Sequence, residues 1–154
     1  MCYNVGCYCY KNPGDDPPMV KPIMKDVLFL GQKSLPATPE DIPVANDLID
    51  TLSANSEQCV GMAANMIGVK KCIIVFDVGG VTMEMFNPRI ISKSVPFEAV
   101  EGCLSLYGAR STTRYKNIKV EWKTRQFQTR TQTFTDWIAQ IIQHEIDHCN
   151  GVII

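Results

Sequence analysis

The stretch AQIIQHEIDHCNGVII, residues 139–154, decides how the rest of the chain is read. It sets His144 and His148 four residues apart with Glu145 directly after the first, and the chain has no other histidine. At about 100° per residue, such a pair lies on one side of a helix. Both imidazoles can then share one ion, while the adjacent carboxylate can reach a water beside it. On the same wheel Trp137, Ile138, Ile141, Ile142, Ile146 and Cys149 form a broad apolar arc, with Glu145 near its middle. A carboxylate aimed into a core is costly unless paired or protonated, which argues against a chance match on a surface helix. Asp147 is expected to face solvent. Thr135-Asp136 supply capping residues at the helix start, and Asn150-Gly151 supply a stop.

Upstream, the pattern changes from helical to extended. IKVEWKT (118–124) alternates Ile118, Val120 and Trp122 with polar partners, and FQTRTQTFT (127–135) is similarly β-prone, so the two are expected to pair. CIIVFDV (72–78) reads as a strand ended by Gly79-Gly80, and VTMEMFNP (81–88) as a returning strand stopped by Pro88. From Pro39 to about Ala54, Val44, Leu48, Ile49 and Leu52 recur at helical spacing behind Thr38-Pro39. Helix, several strands and a final helix predict an α+β fold: mostly antiparallel sheets packed around the C-terminal HExxH helix.

A length of 154 residues suits one domain with a real core. Its opening differs from the rest: MCYNVGCYCYKNPGDDPP crowds cysteines and tyrosines ahead of prolines and a glycine. Residues 1–18 are therefore read as an extension outside the fold, and 19–154 as the single domain. Cys2, Cys7 and Cys9 lack a fourth ligand nearby, so a metal site there is weakly supported. A formal charge of −1 gives no electrostatic case for nucleic acid or an acidic membrane surface. Seven cysteines, an odd number scattered among apolar residues, fit reduced thiols and a cytoplasmic setting. No run is long and apolar enough to span a membrane, and the start lacks the order of a secretion signal.

The third ligand has to come from upstream, because only six residues follow His148 and Cys149 is the only ligand type among them. Upstream candidates are Cys59, Cys72, Cys103, Glu84, Glu98, Glu101 and Glu121. Cys59 and Cys72 sit in apolar runs, as inert buried thiols do, and Glu84 and Glu121 alternate with apolar neighbours as solvent-facing strand residues do. EGCLS (101–105) differs: Gly102 permits close backbone approach, Cys103 offers a thiolate, and the following amides are free to face a substrate.

EGCLS followed about forty residues later by QHEIDH resembles the peptide deformylase family. That family's third signature, glycine-apolar-glycine-apolar-alanine-alanine-any-glutamine, has CVGMAANM (59–66) in the matching place and order. The resemblance runs from about Val20 to the end. It implies that Cys103, His144 and His148 hold one divalent metal ion, with water in the fourth position. A cysteine and two histidines alone suggest zinc; the resemblance implies ferrous iron, with nickel, cobalt or zinc as substitutes. The implied reaction removes the formyl group from the N-formylmethionine of nascent peptides, near the ribosome. Glu145 would be the base, the Leu104 amide an oxyanion donor, and Gly61, Met62 and Met66 substrate contacts.

Two positions depart from the signature. Cys59 stands in place of the first glycine and Met66 where glutamine is expected, and methionine has no N–H to offer. Losing one such donor typically costs about 2.7–4 kcal/mol, roughly 10²–10³ in rate, so weakened activity is expected. Asn65 is a poor substitute if the segment is extended, since neighbours in a strand face opposite ways. Arg110, Arg114 and Tyr115 are expected to be solvated loop residues. Two rival readings remain: a closed structural metal site with Cys59 or Cys149 as fourth ligand, and an amidase acting on another acylated substrate.

Overall fold

The computed structural model describes residues 17–154. The extension read over residues 1–18, with its three cysteines, lies outside the described residues except for its last two.

Five strands form one antiparallel sheet whose spatial order is the order of the chain. They are β1 (Gly61–Ala63), β2 (Ile73–Val78), β3 (Val81–Gly102), β4 (Ala109–Lys123) and β5 (Thr129–Thr135). Helix α1 (Val27–Leu30) is one turn, and α2 (Ile42–Ala54) follows a 3-10 turn at Pro39–Asp41. Pro43 lies in the first turn of α2, where a missing N–H costs nothing. Helix α3 (Asp136–Cys149) carries the two histidines.

The sheet has a core on each face because β2 alternates. Ile73 and Val75 pack with Leu48 and Leu52 of α2, while Ile74 and Phe76 pack with Ile142 and Ile146 of α3. Burying each such side chain contributes about 1.5–3 kcal/mol, so the two helices are fixed to opposite faces by one strand. Phe76 also meets Phe134 of β5 edge-on at 6.5 Å, which ties the far strand to the same core.

Pro88 does not end its strand. Asn87 takes a left-handed conformation (φ 51°), and its side chain exchanges two hydrogen bonds with the backbone of Ala37. The register of β3 against β4 shifts between Phe86 and Arg89, so the proline sits in a bulge, where no ladder donor is needed. The strand then continues to Gly102 and delivers Cys103 to the β3–β4 turn, closed by the Leu106 amide donating to the Cys103 carbonyl at 3.1 Å.

Among the described residues, no helix is long and apolar enough to cross a membrane.

Candidate active site

Helix α3 is docked by the side chain before the first histidine. Gln143 Oε1 accepts from the Tyr115 amide of β4, and its Nε2 donates to the Tyr115 carbonyl, each at 2.9 Å. The helix ends in a motif of two crossed bonds, Val152 N–H to Asp147 O and Gly151 N–H to His148 O, with Gly151 left-handed at φ 72°. A side chain at Gly151 would meet the Gly31 carbonyl at 2.7 Å, so glycine is required there. With Gln143 and the closing turn fixed, His144 and His148 present their rings on one side at a centroid distance of 5.0 Å.

Cys103 Sγ lies 3.2 Å from His148 Nε2, which is 3.3 Å from His144 Nε2. The three ligand atoms all lie within 4.8 Å of one another. Nitrogens about 2.0–2.1 Å from a tetrahedral ion stand roughly 3.3–3.4 Å apart, which is the imidazole spacing found here. The donor set therefore fits one transition-metal cation. Neither Cys59 nor Cys149 joins it: Cys59 donates to the Gly61 carbonyl, and Cys149 hydrogen-bonds Cys72.

Four residues behind the ligands were missed or misplaced by sequence reasoning. Glu101 Oε2 is 2.8 Å from His144 Nδ1, and Gln140 donates to Glu101 Oε1. Arg114 grips both carboxylate oxygens of Glu101 and also bonds Asp147. Arg114 is thus buried rather than solvated, and Asp147 is its partner rather than a free surface charge. Burial would raise the Glu101 carboxyl, but Arg114, His144 and Gln140 outweigh it and bring its pKa to about 2. An ionised Glu101 accepts a hydrogen bond from His144 Nδ1–H and so aims Nε2 toward Cys103 and His148. The signal available in the sequence was the charge order Glu101, Arg114, Asp147, which only a folded hairpin brings together.

Burial, reinforced by His144 and Arg114, lowers the pKa of His148 to about 3, so this imidazole is neutral and free to ligate. His144 behaves oppositely: burial disfavours its charge, but Cys103 and Glu101 overcome burial and carry it to about 10. In the metal-free site a proton on His144 therefore competes with a cation.

Glu145 is the base candidate. Burial raises its carboxyl to about 7, His144 and Arg114 oppose the rise, and its Oε2 has no hydrogen-bond partner. Room for it comes from Gly61, where an added Cβ would stand 2.7 Å from Glu145 Oε1. Glu145, Gly61, Met66, Cys103 and Leu104 line one cleft of about 330 Å³. The Leu104 carbonyl accepts from Lys25 Nζ, and its amide has no acceptor among the described residues.

Three expectations about the cleft change. Met62 does not line it: strand alternation turns this side chain into the core against α2, fully buried. Trp137 is not core but 57% exposed, because the first turn of α3 overhangs the cleft and presents the indole at its edge. Residues 64–67 are a 3-10 turn rather than a strand, so the alternation argument about Asn65 does not apply. Asn65 is nevertheless turned away, its Nδ2 donating to the His148 carbonyl at 2.9 Å.

A thiol and two imidazoles converging beside a free buried carboxylate at the edge of a cleft, set on an HExxH helix against an antiparallel sheet, define a single-ion metallohydrolase. The polypeptide deformylase model matches residues 21–154. A peptide deformylase of Clostridium beijerinckii is 57% identical over 136 residues, 88% of this chain and 100% of the relative. One from Carboxydothermus hydrogenoformans is 35% identical, over 88% of this chain and 84% of the relative. The fold superposes on the Thermotoga maritima peptide deformylase at a TM-score of 0.78 and 28% identity, covering 88% of this chain and 94% of the other. It also superposes on a Met-Ala-Ser-bound peptide deformylase of Acinetobacter baumannii at 0.79 and 25% identity, covering 88% and 97%. The chain belongs to the polypeptide deformylase family, whose members are metallohydrolases acting on N-formyl peptides.

Proposed function

We propose that this chain removes the formyl group of N-formylmethionyl peptides with Cys103, His144 and His148 as metal ligands and Glu145 as general base and acid. The observation that carries the assignment is the meeting of three ligand atoms within 4.8 Å beside a buried carboxylate whose Oε2 is unpaired. The unit that performs it is residues 19–154, a division supported by the family match over 21–154. Ferrous iron is the proposed ion, with nickel, cobalt or zinc as substitutes. Substrate chemistry supports a cytoplasmic site of action close to the ribosome, where formylated N-termini emerge.

A divalent cation in this site supplies Lewis-acid polarisation of the formyl oxygen and a lowered pKa for water. Glu145, balanced near neutrality, takes the proton from the attacking water and returns it to the amine as the formyl C–N bond breaks. Formate and a free N-terminal amine result. The unaccepted Leu104 amide is placed to hold the developing oxyanion, and the thioether of Met66 with Gly61 forms wall against which a methionine side chain can pack. The Cys103 carbonyl, which shares a peptide plane with this amide, accepts from the Leu106 amide at 3.1 Å and holds that plane, while Lys25 Nζ donates to the Leu104 carbonyl on the next one. Met66 supplies no donor opposite Leu104, so the reading carries reduced turnover with it.

The test is formate release from a formyl-Met tripeptide by protein loaded anaerobically with ferrous iron, alongside Glu145→Gln. Metal retained with turnover abolished supports the base assignment. Loss of metal and turnover together contradicts it.

A further inference from the structure

His144 is oriented through its ring, by Glu101 at Nδ1. His148 has no such partner: its Nδ1 is buried and unpaired, although its Nε2 faces Cys103 and His144. Something else has to hold this ligand in register. Besides Cys103 at Nε2, residue 148 is held from outside α3 and its cap by the Asn65 Nδ2 bond to its main-chain carbonyl, 2.9 Å long and spanning 83 positions of sequence. That carbonyl also accepts from Gly151 N–H at 3.1 Å, so the carboxamide is fastened onto the closing turn of the helix.

The residue type at 65 is out of keeping with its surroundings. Ala63, Ala64, Met66 and Ile67 are all buried and apolar, and Asn65 among them is fully buried. Its Oδ1 has no partner, so one polar atom is desolvated without return. An apolar side chain would pack there at lower cost, and a locally unfavourable residue beside a site is where function displaces stability.

We propose that Asn65 is a positioning residue for His148, clamping the last turn of α3 to the 3-10 turn behind the cleft wall so that the imidazole Nε2 faces Cys103. The inference rests on the reading of Cys103, His144 and His148 as metal ligands. Asn65 touches neither substrate nor ion; it acts through the main chain of the residue it holds. The 3-10 turn that carries Asn65 also carries Met66, so the clamp ties the cleft wall and the ligand helix into one body.

The experiment uses the full chain loaded with one cobalt ion and compares it with Asn65→Leu, similar in size but without polar atoms. A chelator should strip cobalt about 10–100-fold faster from the variant, the effect usual for removing a partner behind a metal-bound histidine. The cobalt ligand-field bands should move, and kcat should fall while KM changes less than about twofold. The unfolding midpoint of the metal-free protein should not drop, because leucine fills the same space without a desolvated amide. Asn65→Ser, too short to reach the His148 carbonyl, carries the same expectation should the leucine variant not fold.

Cobalt release and spectra unchanged in a folded variant would overturn the proposal alone. Cobalt binding that survives Cys103→Ser would overturn the ligand assignment, and this inference with it. If neither variant folds even without metal, Asn65 is a structural residue and the proposal is wrong.

Discussion

Replacing Gly61 with alanine tests the site where packing and chemistry meet. The new Cβ would stand 2.7 Å from Glu145 Oε1, 2.7 Å from Ile141 Cγ2 and 3.1 Å from Glu145 Cγ. Carbon contacts settle near 3.5–4.0 Å, so one or more of these groups has to retreat by roughly 0.8–1.3 Å. The helix cannot take up the movement, because Gln143 fastens it to Tyr115 on both sides of the peptide. The displacement falls on the Glu145 side chain, and a misplacement of about 1 Å costs on the order of 10² in rate. Overpacking adds about 1–3 kcal/mol of destabilisation, partly offset by about 0.4–1 kcal/mol from a less flexible unfolded chain. The ligands are not touched, so one metal ion per chain should remain. Formate release measured beside metal content and urea unfolding gives the three readings together. A kcat/KM within about threefold of the parent protein would refute the claim that Gly61 makes room for the base.

Three further outcomes are expected. Glu145→Gln, which keeps size but not basicity, should hold its ion and lose at least about 10² in kcat, read from formate release and metal analysis. Met66→Gln should raise kcat by up to roughly 10²–10³ if its amide reaches the oxyanion, and an unchanged kcat would show that the Leu104 amide and the ion suffice. Arg114→Met should destabilise the fold by about 3–5 kcal/mol in urea unfolding, because it leaves the buried Glu101 carboxylate without its guanidinium.

The elements with one strong period were legible in the sequence. α3 was read to within a residue from its caps and apolar phase, and the pairing of β4 with β5 followed from their alternation. The proximity of His144, His148 and Glu145 followed from that same phase, and the place of Cys103 beside them from family resemblance. What was missed depends on tertiary partners. Pro88 is a break only if Asn87 has nothing to hold, and its clasp on Ala37 is 50 positions away. Arg114 looked like a loop charge because both of its carboxylates lie on other elements, Glu101 on β3 and Asp147 on α3. Met62 and Val60 share a parity in sequence, yet β1 begins only at Gly61, so its alternation turns Met62 into the core while Val60, before the strand, still borders the cleft. The overhang of Trp137 follows from where α3 enters the sheet face, which local sequence does not encode.

The strand order has a consequence for how the molecule comes into being. Each strand pairs with its chain neighbour, so the sheet can grow hairpin by hairpin, every closure short and quickly made. The bonds that align the ligands are of another kind, Glu101 to His144 across 43 positions and Asn65 to His148 across 83. They form only once the helix carrying Glu145 lies against the sheet. A chain halted before that closure has its meander and its hairpin cysteine, but neither imidazole nor carboxylate in place. Hydrolytic competence therefore requires that closure, and the appearance of activity during refolding reports that the helix has docked.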